Sequence, residues 1–361
     1  MSNTNGALKA LLILVTIASC AHDARFSDCA VRCAPGMECP DGFQCGAEGL
    51  CRSSDAEAPC ASALAPSCDE LAATCGPTGS DDCCSTAELI PGGTYYRSYD
   101  VAADGMYPDM GYPATVSAFR LDKYEVTVGR FRKFVEAGMG TRASPPSVGA
   151  GAHERIPGSG WDASWGGELA ADTATLIAAV KCSATYQTWT DAAGGNENLP
   201  INCVTWYEAM AFCAWDGGYL LTEAEWNFAA AGGDEQRAYP WSSPAGSTMI
   251  DCSYANYNNN TTYCVNPPNG AVNRVGSESP KGNGKWGQTD LGGNVWEWTL
   301  DWHADSYGSP CNDCANLTPA SSRTIRGGGF VNVELYLRGA YRHFNSPGSR
   351  GFDLGVRCGK P

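Results

Sequence analysis

Apolar residues recur at helical spacing in short stretches, and the first such stretch follows Thr127. There Val128, Phe131, Phe134 and Val135 fall on one face of a helix, which is the pattern of a helix packed against a core. This spacing predicts one short amphipathic helix.

Two further helices are predicted where capping boxes precede segments rich in aromatic residues. Thr205 is followed three residues later by Glu208, and Thr222 by Glu225, so each pair can satisfy the free amides of a helix start. A glycine pair ends each stretch, as expected at the end of a helix.

Short strands are predicted around these helices, and most of the remaining chain is rich in turns. The sequence IPGGTYYRSYD favours a strand entered through a Gly-Gly turn, and residues 323–330 and 353–358 favour two more. Helices and strands together indicate an α+β fold with little regular secondary structure.

Composition and charge narrow the class of protein. The chain has 361 residues, of which 43% are apolar and 17% charged, so it can form a sizeable core. Its length favours one large domain with a smaller appendage. The formal net charge of −15 repels phosphate backbones, so nucleic acid is not an expected partner.

The first 20 residues predict export and attachment to a membrane. Lys9 precedes an apolar run at 10–17 that is too short to span a bilayer and matches the core of a signal peptide. The run ends in the letters IASC, which resemble a bacterial lipobox. We therefore expect a signal peptide at 1–19 and lipidation of Cys20, which would anchor the exported protein to the periplasmic or surface face of the cell envelope. An ordinary secretory signal is the alternative.

The chain has 19 cysteines, a number that indicates an oxidising compartment. Their distribution divides the chain into a cysteine-rich segment and a main domain. Ten of them lie between residues 29 and 84 among few large apolar residues, so disulfides must stabilise that segment. We expect a disulfide-stapled stalk at 20–87 and the main domain at 88–361. A metal cluster in the stalk is the alternative, but His22 is its only histidine. Apart from Cys20 the cysteines are even in number, which favours complete pairing.

Several motifs, in one order, resemble the formylglycine-generating enzyme family, also called the sulfatase-modifying factor family. They read LDKYEVTVGRFRKFVEAG, LPINCVTWYEAMAFCAWDGGYLLTEAEWNFAAAGG, YPW, DLGGNVWEWTLDW, IRGGGF and LGVRC. One motif alone would be weak, whereas the ordered set is specific and extends from about residue 88 to the end of the chain. The resemblance implies a variant of the C-type lectin fold, in agreement with the turn-rich α+β prediction.

The resemblance also implies a structural calcium site in the motif DLGGNVWEW. Its ligands would be two carboxylates and two backbone carbonyls, from Asp290, Glu297, Gly293 and Val295. A glycine-rich loop between two acids can turn such oxygens inward, and an acidic surface loop is the alternative. A second calcium site of the family would fall on Asn256 and the carbonyl of Tyr257.

The resemblance further implies a disulfide between Cys213 in the second helix and Cys358 in the terminal segment. Proximity in the sequence favours three more pairs: Cys182 with Cys203, Cys252 with Cys264, and Cys311 with Cys314. The last spacing could also serve zinc or redox chemistry. Zinc would need two more ligands, and the pair falls in a loop instead of at a helix start, so a structural bridge is the preferred interpretation.

The catalytic positions of the family are where this chain departs from the resemblance. Those enzymes bind copper(I) through two cysteines five positions apart, after the glycines of a C-terminal strand, and thiolates suit that ion. Here the stretch RGGGFVNVELYLRGAYR places Asn332 and Leu337 at the two positions and Gly329 at a family serine. Trp296 and Tyr336 match pocket residues. Copper is therefore not an expected cofactor, and no catalytic residue is expected at these positions.

Two classes of function remain open. The first is a non-catalytic module of a cell-envelope lipoprotein, which binds a protein or glycan through an aromatic-lined cleft or assembles with envelope partners. The alternative is a formylglycine-generating or related oxygen-dependent enzyme with an altered site. Its candidate residues are Asn332, Glu334, Tyr336, Arg338, Tyr341, Arg342 and His343. Among them, Glu334 and His343 would act as an acid–base pair if they converge.

Overall fold

The computed structural model describes residues 43–45, 51–53, 65–266 and 268–360, and the chain divides after residue 63 into two compact units. In the first unit, β1 (Phe43–Cys45) pairs antiparallel with β2 (Cys51–Ser53). The predicted signal peptide, the lipidation site Cys20 and most of the predicted stalk lie outside the described residues.

The second unit begins near residue 64, earlier than the boundary at residue 88 that the sequence predicted. Its leading segment is stapled by two disulfides, Cys68–Cys84 and Cys75–Cys83. Both Cys75 and Cys83 are buried in a cluster with Tyr124 and Val275. Residues 65–87 therefore belong to the main domain. Cysteine density alone, from which the boundary at residue 88 was predicted, does not indicate which surface a segment packs against.

The strands of the second unit are short and form small sheets. Their bounds are β3 Gly93–Tyr96, β4 Pro113–Val116, β5 Arg120–Leu121, β6 Tyr219–Leu220, β7 Trp296–Trp302, β8 Arg323–Arg326, β9 His343–Asn345, β10 Leu354–Gly355 and β11 Cys358–Lys360. One sheet has the order β10-β7-β8-β9, with β10 parallel to β7 and the other pairs antiparallel. In a second sheet β11 lies between β5 and β6, and β3 pairs with β4. The predicted α+β class is confirmed.

Among the α-helices of the described residues, those after Thr127, Thr205 and Thr222 begin where the sequence signals placed them, and one more was not predicted. Their bounds are α1 Val128–Glu136, α2 Thr173–Ala179, α3 Trp206–Trp215 and α4 Glu223–Ala231. Both capping boxes are formed, by Thr205 with Glu208 and by Thr222 with Glu225, and Thr127 caps α1. In the part of the chain that the structure covers, no helix has the length and apolar character needed to cross a membrane.

The helix α2 was not predicted. Its seven residues bury only Leu176, so it lacks the apolar stripe by which a surface helix is identified in a sequence. Asp172 caps its first turn by accepting a hydrogen bond from the Thr175 amide, which is a local signal too common in turns to stand alone.

The core is built from large aromatic side chains around α3 and β7. Trp206 on α3 and Trp298 on β7 are fully buried. Their indole N–H groups donate to the carbonyls of Thr299 at 2.8 Å and Val204 at 3.0 Å. Their rings thus fill the interior while their polar atoms remain satisfied.

Disulfides join distant parts of this unit. Cys213 on α3 is bonded to Cys358 on β11, which lies 145 positions further along the chain. The other bonds described beyond residue 100 are Cys182–Cys203, Cys252–Cys264 and Cys311–Cys314. These are the four pairs that the sequence analysis expected.

A fully buried arginine on α1 connects the leading segment to the last strand. Arg130 pairs with Asp122 at 2.8 Å and with Asp216, the residue that follows α3. Its Nε donates to the hydroxyl of Ser67 at 3.0 Å. Lys360 on β11 lies 2.9 Å from the same Asp216 carboxylate. Removal of any one charge would leave an unpaired charge in the core, which is strongly destabilising.

Candidate functional site

A run of glycines after β8 shapes the segment that carries the family's catalytic positions. Gly327 and Gly328 have φ values of 99° and 73°, which favour glycine. A Cβ on Gly328 would lie 2.9 Å from Leu337 Cδ1 and 3.0 Å from the carbonyl oxygen of Tyr336. The glycines are therefore required so that the turn at Glu334–Leu337 can pack against the end of β8.

Asn332, which the resemblance aligns with the first copper-binding cysteine, closes a turn. Its side-chain Oδ1 accepts a hydrogen bond from the backbone amide of Gly329 at 2.9 Å. Its backbone amide donates to the Gly329 carbonyl, also at 2.9 Å. The carbonyl of Asn332 accepts from the Asn258 amide at the same distance. The side chain is thus committed to the backbone, and it offers no sulfur to copper(I).

Leu337, at the second family position, is part of the core. It is fully buried in a cluster with Tyr239, Trp241, Ala255 and Tyr257. A hydrocarbon side chain therefore occupies the second position. Across residues 65–266 and 268–360, no three His, Cys, Asp or Glu side chains form a group able to hold a metal ion.

Trp296 and Tyr336 lie in a group of rings that we call the aromatic patch. Its members are Trp296, Tyr336, Tyr341, His343 and Phe344. The ring centroids of Tyr336 and Tyr341 are 4.9 Å apart, and those of Trp296 and His343 are 5.7 Å apart. Trp296 is buried, Tyr336 and Tyr341 are half-buried, and Phe344 is 46% exposed. The patch therefore runs from the core to the surface.

Glu334 and His343 do not form the acid–base pair that the sequence allowed. Glu334 Oε2 accepts a hydrogen bond from Asn260 Nδ2 at 2.7 Å, whereas the ring of His343 lies in the aromatic patch. Arg338 forms an ion pair with Asp100 at 3.1 Å. The structure therefore brings the candidates Tyr336, Tyr341 and His343 together in the aromatic patch, whereas Glu334 and Arg338 have other partners.

A cavity of about 550 Å³ lies beside the same segment. Arg342, flanked in sequence by Tyr341 and His343, contributes to its wall together with Trp302, Tyr307, Arg97 and Cys314. The guanidinium carbons of Arg97 and Arg342 each lie 4.3 Å from the centre of the Tyr307 ring. The volume is typical of small-molecule sites, and the wall offers aromatic faces and positive charge.

Glu223, the first residue of α4, forms ion pairs with two arginines at this cavity. It accepts hydrogen bonds from Arg326 at 2.7 Å and from Arg342 at 2.8 and 2.9 Å. The Tyr307 hydroxyl donates to it at 3.0 Å. Burial alone would raise the pKa of Glu223, but the two arginines outweigh burial and lower the pKa to about 2. The carboxylate is therefore ionised at all ordinary pH values.

Asp301 on β7 lines the same cavity, but its pKa is shifted in the opposite direction from that of Glu223. Burial, together with the neighbouring charge of Glu223, raises the pKa of Asp301 to about 6. Its two oxygens accept from the amides of Glu223 and Asn316, each at 2.7 Å. The cavity thus combines a permanently ionised carboxylate with one that takes up a proton in mildly acidic solution.

The loop expected to bind calcium places two backbone oxygens near Gly327. Asp290 and Asn294 adopt positive φ values of 58° and 61°. The carbonyl oxygens of Leu291 and Val295 lie 3.5 and 3.8 Å from the position that a Cβ on Gly327 would take. The Trp226 ring comes closer still, at 3.3 Å, so this space is bordered by an aromatic ring as well as by two carbonyls.

Glu297, one of the predicted calcium ligands, has other partners. Arg357 donates to its Oε1 at 2.7 and 3.0 Å, and the Trp226 indole donates to its Oε2 at 2.7 Å. Burial raises the pKa of Asp290 and of Glu125, and the charge of Glu297 raises both further. One guanidinium thus lies among three buried carboxyls. Asp290 Oδ2 accepts hydrogen bonds from the Gly276 amide at 2.6 Å and the Thr289 hydroxyl at 2.9 Å, so a cation here would be held by the other Asp290 oxygen and by carbonyls, without Glu297.

Asn256, expected at the second calcium site, has a buried Oδ1 with no hydrogen-bond partner among the described residues. Its Nδ2 donates to the Ala271 carbonyl at 2.9 Å and to Asn294 Oδ1 at 3.2 Å. The carbonyl of Tyr257 accepts from the Cys264 amide at 3.1 Å. An unsatisfied buried oxygen is costly, so the donor chemistry at Asn256 fits a hard cation.

Two buried partnerships were missed from the sequence. Glu223 and Glu225 both occur in TEAEW, but Glu225 closes the capping box while Glu223 meets Arg326 and Arg342, 103 and 119 positions away. His153 is buried with its Nε2 3.0 Å from Glu225. Neither partnership leaves a local signal, because each depends on residues brought together by the fold.

Comparison with known proteins relates the chain to an established family. Residues 78–360 match the family described as the sulfatase-modifying factor enzyme 1-like domain. The formylglycine-generating enzyme of Streptomyces coelicolor is 29% identical over 289 residues, which cover 74% of this chain and 87% of that enzyme. The hercynine oxygenase of Mycolicibacterium smegmatis is 27% identical over 78% of this chain and 62% of that protein.

A solved structure shows the same fold. PvdO of Pseudomonas aeruginosa superposes with a TM-score of 0.51 at 20% identity, over 75% of this chain and 92% of that chain. At this identity the likeness concerns the fold alone.

Replacing Glu223 with Gln is expected to destabilise the fold by about 3–5 kcal/mol near neutral pH, because Arg326 and Arg342 lose their shared carboxylate. Since the pKa of Glu223 is lowered, its contribution is complete above the ordinary pKa of a glutamate and is lost as the pH falls toward about 2. The unfolding free energies of the wild-type and E223Q proteins, measured with urea, should therefore differ less at about pH 3 than at neutral pH, because about pH 3 lies between these two pKa values.

The exposed Glu88 offers a matched control, since E88Q should change the unfolding free energy little at either pH. An equal loss for E223Q at both pH values would contradict the ion-pair account.

Proposed function

The chain belongs to the family of sulfatase-modifying factor enzyme 1-like domains, and on that premise we propose that it keeps the family's fold without a copper oxidase site. The proposal is supported by the roles of two residues. Asn332 is bonded to backbone groups of its own turn, and Leu337 is buried in an apolar cluster. A pair of thiolates that could hold copper(I) in this segment is thus replaced by a turn and a core side chain.

In place of that chemistry the domain acts as a binding module. The aromatic patch reaches the surface through His343 and Phe344, and exposed rings of this kind stack on sugar faces or on side chains. The adjacent cavity adds the guanidinium groups of Arg97 and Arg342. The ligand is a protein or a glycan of the cell envelope, where the signal peptide and the lipid on Cys20 would place the domain.

The alternative is an oxygen-dependent enzyme with an altered site. It is favoured by the relatives, which include formylglycine-generating enzymes and a hercynine oxygenase. The separate surroundings of Glu334 and His343 weigh against it, since general acid–base catalysis needs both groups within reach of one substrate.

We also propose that structural calcium is bound at the loop of Asp290, with the carbonyls of Gly293 and Val295, and near Asn256 and Tyr257. The positive charge would offset the buried carboxyls that Arg357 alone leaves unneutralised. At the second position it would satisfy the unpaired Oδ1 of Asn256.

The purified protein is expected to bind no stoichiometric copper(I) and to leave a peptide with the motif Cys-x-Pro-x-Arg unchanged in the presence of copper and oxygen. Mass spectrometry of the peptide detects formylglycine directly. The Streptomyces coelicolor enzyme serves as positive control, and the variant N332C/L337C is the matched test of copper uptake. Formylglycine formed by the wild-type protein would overturn the proposed loss of the oxidase site and favour the alternative.

Replacing His343 and Phe344 with Ala is expected to weaken ligand binding at least about tenfold, because both rings are exposed and their loss leaves the core intact. Binding is measured on a glycan array and by capture from an envelope extract. Val148→Ala is the control, since Val148 is 75% exposed and lies outside the patch. If neither assay yields a partner for the wild-type protein, the binding role is wrong.

Calcium is expected to raise the melting temperature of the protein, and EDTA to lower it. At a calcium concentration of about 100 times the dissociation constant, binding adds about 2.7 kcal/mol of stability. Asp290→Asn should reduce this calcium-dependent shift, whereas Asp162→Asn, at a fully exposed residue, should retain it. A wild-type melting temperature that does not respond to calcium would contradict the proposal.

A further inference from the structure

The disulfide between Cys311 and Cys314 reaches the wall of the cavity through Cys314. We propose that this bond is redox-active and oxidises the paired thiols of a peptide that enters the cavity. The inference goes beyond the binding role and does not depend on it, because it rests on the surroundings of the two sulfurs.

The two cysteines differ in accessibility. Cys314 lines the cavity and is half-buried, whereas Cys311 is only 3% exposed and belongs to an apolar cluster with Val116 and Phe119. An incoming thiolate therefore meets Cys314 first. Cys311 is sheltered and is available to close the bond again.

A fixed positive charge lies beside the accessible sulfur. Nη1 of Arg97 is 3.7 Å from Cys314 Sγ, and Nη2 donates to the Gly308 carbonyl at 2.7 Å. The same guanidinium lies over the Tyr307 ring, and Arg97 is 5% exposed. The sulfur, the carbonyl and the ring carry no negative charge, so these partners do not neutralise the guanidinium of Arg97. A buried guanidinium next to sulfur stabilises the thiolate and makes the disulfide a stronger oxidant.

The loop that carries the cysteines is held in place without the disulfide. The Thr115 amide donates to the Cys311 carbonyl and the Asp313 amide to the Thr115 carbonyl, each at 2.9 Å. The amide and hydroxyl of Ser117 donate to the Asp313 carboxylate at 2.6 and 2.7 Å. The bond also spans only three positions, so it constrains the unfolded chain less than the other described disulfides. The sequence favoured a structural bridge, but these contacts make the bond dispensable for the loop.

The reaction proceeds by two thiol–disulfide exchanges. A substrate thiolate attacks Cys314 Sγ, which forms a mixed disulfide and releases Cys311 as a thiolate that takes up a proton. The second substrate thiolate then attacks the substrate sulfur of the mixed disulfide and releases Cys314 as a thiolate beside Arg97. The substrate leaves as a disulfide, and the protein has gained two electrons.

Wild-type protein tests the reactivity of the bond directly. Treatment with graded dithiothreitol, followed by alkylation and peptide mapping, should show Cys311–Cys314 opening at least about tenfold faster than Cys252–Cys264. The latter is a stringent control because Cys252 is exposed, so exposure alone would favour its reduction. Near-ultraviolet circular dichroism should stay unchanged. Opening no faster than the control, or only with loss of the dichroism signal, would overturn the proposal.

The role of Arg97 is tested in a Cys311→Ser background, where Cys314 is a free thiol. The pH dependence of its alkylation should give an apparent pKa below the ordinary thiol value of about 8.5. Arg97→Gln in the same background should raise that pKa, and Arg97→Lys should raise it less. If the apparent pKa of Cys314 is that of an ordinary thiol, and Arg97→Gln does not change it, the proposed role of the guanidinium is wrong.

Turnover is tested with a reduced model peptide containing two cysteines. Wild-type protein should convert about one equivalent of peptide to its disulfide, with peptide mapping showing that Cys311–Cys314 is the bond consumed. The double variant C311S/C314S should not. Equal oxidation by both proteins, or none by the wild type, would exclude the proposed reaction.

Discussion

The ionised carboxylate of Glu223 is the interaction on which the functional region depends. It fixes Arg326 on β8 and Arg342 on the segment before β9, and it accepts a hydrogen bond from Tyr307 across the cavity. Because a buried charge is tolerated only with partners, these groups cannot move independently of α4. Arg342 sits between Tyr341 and His343 in the chain, so the same carboxylate positions both the cavity wall and the aromatic patch.

Retention of a motif need not mean retention of its chemistry. The RGG stretch is a hallmark of the family resemblance, yet here it is explained by packing. Gly328 must lack a side chain because Tyr336 and Leu337 lie against it, and Gly327 combines a φ of 99° with the Trp226 ring 3.3 Å from the place of a Cβ. The glycines are thus explained by backbone conformation and close neighbours, without any role for thiols.

The sequence predicted the features that local chemistry specifies. Thr205 and Thr222 start helices because each has a glutamate three residues on, and both boxes form. The alignment of Asn332 and Leu337 with the family's two cysteines came from the resemblance and stays a prediction. That Asn332 would close a turn, and that residues 65–87 would join the main core, could not be read, since both depend on contacts between distant segments. The same holds for Arg97 and Cys314, which are 217 positions apart.

The network around Arg130 has a mechanical consequence. It joins Ser67 in the leading segment to Asp216, which Lys360 on β11 also contacts, and the disulfide Cys68–Cys84 adds a covalent link beside it. Tension applied to the chain ahead of Ser67 would therefore act on several strong bonds together. A domain held by a tether on that side would resist extraction by pulling far better than its short strands suggest.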